Sequence, residues 1–170
     1  MALPRKLKNM NVFQDGVSWI GEATTVTLPK LTRKMEGYRA GGMNGEIMVD
    51  HGMDGGLEIE VTAGGWMRQA VQSFGAGTHD AVQLRFAGAY QRDDSGDVDA
   101  VEISIRGRWM EIDRGDAKPG EDTEVKHKLA CSYYRETVNG AVDVEIDLIN
   151  MVEIYGGVDR LAEQRAAIGA

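Results

Sequence analysis

Hydrophobic and polar residues alternate with a period of two along most of the chain, the pattern of strands that bury one face and wet the other. Val101, Ile103 and Ile105 alternate with Glu102, Ser104 and Arg106. Val142, Val144, Ile146 and Leu148 alternate with Asp143, Glu145 and Asp147. Strands are predicted over Ala81–Gln91, Asp99–Asp113, Glu124–Thr137 and Val142–Ile154, separated by the turn signals RDDSGD and Asn139-Gly140. Upstream, Asn11–Gln14 and Val17–Ile20 flank Asp15-Gly16, a hairpin pair that tolerates positive φ. An extended stretch runs from Thr24 to Arg39, with Pro29 marking an edge or a bend. Glu46–Val49 and Leu57–Thr62 are shorter strands, and HGMDGG between them reads as loop.

One segment has the helical period instead. Trp66, Met67, Ala70, Val71 and Phe74 share a face, with Arg68, Gln69, Gln72 and Ser73 opposite, and Gly75 and Gly77 close the element. A Trp and Phe stripe at this spacing is expected in the core. The end, VDRLAEQRAAIGA, supports one or two helical turns capped at Asp159, or frays. The fold expected is mainly β: an antiparallel sandwich or barrel with one short flanking helix, in a single domain over residues 1–170.

Composition narrows the function. With 42% hydrophobic and 27% charged residues the chain can build a core, and no apolar run is long enough to span a bilayer. The start, MALPRKLKNMNVF, lacks the apolar stretch of a secretory signal. A single cysteine, Cys131, cannot form an intramolecular disulfide and reads as a small buried hydrophobe made in a reducing cytoplasm. The net charge of −8 argues against general nucleic-acid affinity. Its distribution is uneven. Residues 1–45 hold seven Lys/Arg and three Asp/Glu, a balance of +4, while residues 46–170 hold twelve and twenty-four, a balance of −12. That split suits a basic arm meeting an acidic surface, and equally a basic hairpin sitting in water.

No catalytic constellation emerges, and no cofactor or metal is expected. His51, His79 and His127 lack ligand spacing, and His127 alternates in phase with Val125, Leu129 and Cys131, a core position. Asp50-His51 has the chemistry of an acid–base pair but no nucleophile-elbow serine accompanies it. Asp93, Asp94, Ser95, Gly96 and Asp97 resemble a fragment of a calcium loop without its distant bidentate Glu, and a hairpin turn explains them. No phosphate loop is present, and basic residues are not interleaved with aromatics as a nucleic-acid platform requires.

What remains is Leu28–Gly45, LPKLTRKMEGYRAGGMNG: a cationic strand, an exposed methionine and a glycine-rich flap. Long strands with open edges aggregate unless covered, and closing them against copies in a ring removes the edge. A self-assembling structural protein accounts for these features better than an enzyme does. The competing class is a soluble β-barrel that binds or hydrolyses a ligand, with Asp50 and His51 near its mouth.

The sequence resembles the major tail tube proteins of contractile-tailed bacteriophages of the myovirus type, and those of headless R-type bacteriocin particles. The resemblance is carried by MALPRKLKNMNVFQDG (Met1–Gly16), LPKLTRKMEGYRAGGMNG, RFAGAYQRDDSG (Arg85–Gly96), IRGRWMEIDRG (Ile105–Gly115), GEDTE (Gly120–Glu124), EIDLINM (Glu145–Met151) and GVDRL (Gly157–Leu161). Glu46–Gly77 is the least family-like part.

The resemblance implies a protomer that forms hexameric rings, stacked into a hollow tube inside a contractile sheath. Its partners would be further copies of itself, the tail sheath protein, and baseplate and tube-terminating proteins. DNA would pass through without specific binding, and no membrane is involved. The particle would be assembled in the bacterial cytoplasm. An N-terminal arm (1–10) and an extended loop (28–50) would contact neighbouring subunits, with the helix at 66–75 on the flank. Mapped onto this chain, the interface residues are Arg5, Lys6, Lys8, Lys30, Arg33, Lys34, Arg39, Gly41, Gly42, Met43 and Asn44. An acidic lumen would repel passing DNA, with Asp143, Glu145 and Asp147 or Glu58 and Glu60 as its candidates.

Overall fold

A computed structural model describes residues 2–170. Of the arm expected over 1–10, position 1 lies outside the described residues. The N-terminal hairpin forms as its turn chemistry dictates: β1 (Lys6–Gln14) meets β2 (Val17–Ser18) across Asp15 and Gly16, at φ 48° and 85°. The chain then continues as β3 (Ala23–Thr27), breaks around the buried Pro29, and resumes as β4 (Arg33–Tyr38). β5 (Ile47–Met53) pairs with β4 in a separate two-stranded sheet. HGMDGG is therefore only partly loop, since His51, Gly52 and Met53 complete β5.

β6 (Leu57–Ala63) leads to the short helix α1 (Arg68–Gln72). Three long strands follow: β7 (Val82–Gln91), β8 (Val98–Asp113) and β9 (Val125–Val138). The stretch expected as one last strand is a hairpin, β10 (Ala141–Asp147) and β11 (Val152–Tyr155). Asp147 makes the turn: its carboxylate accepts the backbone N–H groups of Ile149 and Asn150, so the ladder reverses and Leu148 is exposed. β12 (Val158–Asp159) and a second helix, α2 (Ala162–Ile168), end the chain. Asp159 accepts from Leu161 N, yet the helix starts after Leu161 without a side-chain cap.

The large sheet is antiparallel throughout. It runs β12-β11-β10-β9-β8-β7-β1-β2, and β6 with β3 forms a branch. β9 makes the branch possible by being long. Its first half (125–131) pairs with β6 and its second half (133–138) with β10, on the same side. The sheet curls over one core without closing into a barrel, because β2 and β3 do not pair. Residues 19–22 cross that gap instead, with Ala23 N donating to Trp19 O and Gly64 N to Glu22 O. No helix among the described residues is long and apolar enough to cross a membrane.

The core beneath the gap is aromatic and partly polar. His127 sits in contact with two indoles, its centroid 5.5 Å from Trp19 and 5.8 Å from Trp109. Ser73, at the end of α1, accepts from Trp109 Nε1 (2.9 Å) and Gln14 Nε2 (3.0 Å), and Gln69 Nε2 donates to Gln14 O. Met67 and Ala70 are the buried face of the helix, whereas Trp66 and Phe74 are exposed. Their expected place in the core is wrong because five residues of helix make too short a face to carry both ends inward. The position of His127 and Cys131 in the core is as the alternation predicts, and burial pushes the Cys131 thiol up to about 12.

Candidate assembly surfaces

The basic arm folds back on its own protomer. Arg5 pairs with Asp99, Lys8 Nζ with Asp93 (2.7 Å), and Leu3 N donates to Asp94 (3.0 Å). All three acceptors belong to the β7–β8 turn region, so the supposed calcium-loop acids serve as a turn and as the arm's anchor. Asp94 is lowered to about 2, first by the hydrogen bond from Arg92 and then by that from Leu3. A bulge at Lys8 turns its side chain towards Asp93. Lys6 makes no ion pair among the described residues, and the outer edge of β1 from Lys6 to Asn11 is paired to no strand there.

The β4–β5 hairpin projects as a sheet of two strands, an arrangement that needs support from outside itself. Arg33 supplies it from within the protomer. Its Nη1 donates to both oxygens of Glu153 (2.8 and 3.1 Å), which is 4% exposed on β11, and its Nε donates to Asp50 (2.9 Å). The two carboxylates raise the Arg33 pKa, Asp50 being the larger influence, and Arg33 lowers that of Asp50. Asp50 is therefore committed to Arg33 and to Gly52 N, while His51 lies 3.6 Å from Glu36. The suggested acid–base pair is not assembled.

Lys34 lies 3.4 Å from Glu36. Arg39 donates to the carbonyl of Met43, whose sulfur accepts from Ala40 N. Met43 is thus half-buried in its own loop rather than exposed; Met35 and Met48 are the exposed methionines of this hairpin, joined by Tyr38 and Ile47. Gly42 has φ 86°, and nothing lies within 4 Å of where a side chain on Gly41 or Gly42 would begin. Asn44 is exposed at the tip, and Lys30 lines a separate hollow with Glu58, Glu60 and Lys128.

The acidic stripe is less acidic in space than in sequence. Glu145 accepts from Tyr133 Oη (2.8 Å), Asp147 is occupied by its turn, and Asp143 is exposed. Cross-strand register puts Glu145 beside Arg135 and Asp147 beside Tyr133, while Glu60 faces Lys128. Sequence reading also missed basic–aromatic pairs on this sheet. Arg85 lies 4.1 Å over Phe13, and Arg106 lies 4.1 Å over Tyr133. The partners are tens of residues apart in the chain, so only strand register brings them together.

The family model described as phage tail tube protein FII matches residues 4–169. The chain is similar to the tail tube protein of Escherichia phage P2, with 54% identity over 99% of each chain. It is also 40% identical to the major tail tube protein of Serratia phage KSP20, over 89% of this chain and 88% of that one. Matched along nearly its whole length by the family model and by both relatives, the chain belongs to the phage tail tube protein family.

Proposed function

We propose that this protein builds the inner tube of a contractile phage tail from stacked hexameric rings, and that the tube conducts DNA and performs no catalysis. The observation that carries the reading is the projecting β4–β5 hairpin. Two strands alone do not bury enough surface to stand in water, yet this pair exposes Met35, Tyr38, Ile47 and Met48 on its faces. A neighbouring copy would cover them.

The open outer edge of β1 is a second surface for a neighbour, because unpaired N–H and C=O groups are a template for another chain. Unlike surfaces meeting head to tail close into rings or run on as filaments. Arg5, Lys6, Lys8, Lys30, Arg33, Lys34, Arg39 and the Gly41–Asn44 tip then lie at or beside subunit contacts. Arg5, Lys8 and Arg33 act there by fixing the shape of the arm and hairpin. Sheath, baseplate and tube-terminating proteins are the remaining partners, and both named relatives come from phages, which favours a phage tail over a headless particle. Electron microscopy of the purified protein at high concentration tests the proposal. Rings or tubes are expected; a species that stays monomeric at every concentration and salt would refute it.

A further inference from the structure

The solvent face of the large sheet carries three arginines in adjacent register. Arg85 on β7 and Arg135 on β9 both align with Ser104 on β8, and Arg106 follows two residues along β8, opposite Gln83 and Tyr133. With neighbouring strands about 4.8 Å apart, the outer two backbones are separated by about 10 Å. Between these side chains lies an open hollow of about 370 Å³.

The face also has acids, so a count of charges leaves it near neutral; what the acids are bonded to decides its chemistry. Glu145 is taken by the Tyr133 hydroxyl, and Asp147 by two backbone N–H groups and the Asn150 amide. Glu102 reaches only Arg85, at 3.4 Å. Arg106 and Arg135 have no carboxylate within ion-pair distance among the described residues, and their guanidinium N–H groups make no hydrogen bond there. Stacking on Tyr133 and Phe13 occupies the flat faces of Arg106 and Arg85; the N–H edge of Arg106 is left for an incoming acceptor, and Arg85 commits only Nη1, to Glu102. A guanidinium held in this way is pre-organised for the tetrahedral oxyanion of a phosphate, which it meets with two N–H groups at once.

We propose that Arg85, Arg106 and Arg135 form a phosphate-contact site that engages the backbone of DNA, weakly and without regard to sequence. This rests on the reading that the protein conducts DNA, and it refines the expectation of a uniformly repelling acidic wall. A conduit needs contacts that exchange quickly. Three guanidiniums beside three bonded carboxylates supply a shallow attraction rather than a binding groove. Backbone recognition is favoured over an acidic protein partner because the site is an open, water-filled hollow with a serine at its centre, and its aromatic rings Phe13 and Tyr133 are covered by the guanidiniums of Arg85 and Arg106.

The test is fluorescence anisotropy of a short labelled DNA duplex with the full-length wild-type protein and with R106Q/R135Q, across a salt series. Three phosphate contacts give a slope of log affinity against log salt of at most about −2.7, and losing two reduces it to about −0.9. A K30Q/K34Q variant, altered on the basic segment instead, is expected to keep the wild-type slope. Equal affinity and slope for wild type and R106Q/R135Q would overturn the proposal. So would protection of the site by inorganic phosphate with no binding of DNA. Retained DNA binding in R106Q/R135Q combined with loss of its tubes would also overturn it, by assigning the arginines to a neighbouring copy. Absence of tubes from the wild type would count against the tube reading alone, since the anisotropy assay is read on the protomer.

Discussion

Replacing Arg33 with alanine isolates what holds the hairpin in place. Glu153 is 4% exposed and accepts from Arg33 through both oxygens, so Arg33→Ala leaves a buried carboxylate without its partner. Breaking a fully buried pair costs about 3–5 kcal/mol, and breaking an exposed one costs about 0–1 kcal/mol. The Arg33 side chain is 37% exposed, which admits water to the vacated site and places the loss near 2 kcal/mol. In a chain of this size that is a drop in Tm of about 4–8 °C. The hairpin itself should respond more sharply. Its other ties to the body include the Tyr155 hydroxyl against Met53 sulfur at 3.8 Å. Thermal melting gives the global effect, and amide hydrogen exchange over residues 34–38 and 47–50 gives the local one. Glu153→Gln added to Arg33→Ala should recover much of the loss, because the orphaned charge is gone. Arg33→Ala that melts with wild type and keeps its hairpin protection would refute the reasoning.

Lys34→Glu probes assembly more cleanly than reversal of Arg33, since Lys34 makes only an exposed pair at 3.4 Å; tubes should form poorly while the melting temperature holds, as microscopy and calorimetry would check. Gly107→Ala should destabilise the protomer by about 3 kcal/mol in urea titration, because its Cβ would lie 2.1 Å from the Ala130 carbonyl oxygen in the adjoining strand. Asn139→Ala, at φ 50° with its amide bonded to Ala100 N and Asp99, should cost about 1–2 kcal/mol, with Asn139→Gly restoring the backbone share. Burial lowers the pKa of His127 below its unfolded value, so the unfolded chain binds the extra proton first. The urea midpoint should therefore fall as pH drops below about 6.5, and His127→Asn should flatten that dependence.

The sequence by itself determined the class of fold and most strand positions, because period-two alternation and residues such as Asp15-Gly16 and Asn139-Gly140 act locally. Its alternation also placed Cys131 and His127 inside, since each shares the phase of its buried neighbours. It overestimated the helix, where Trp66 and Phe74 have core chemistry but sit beyond the ends of five helical residues. It joined β10 to β11, where Asp147 bends the chain through backbone bonds that leave no trace in hydrophobic spacing. Everything that depends on which strands lie side by side was left to the tertiary structure. Pairing of β9 with both β6 and β10 branches the sheet, and Arg33 finds Glu153 across 120 positions of chain. Pairing of β8 with β7 and β9 lays three arginines around one hollow. A strand's sequence specifies which way each side chain points, but not its neighbour, because register between distant strands is set by the packing of the whole core.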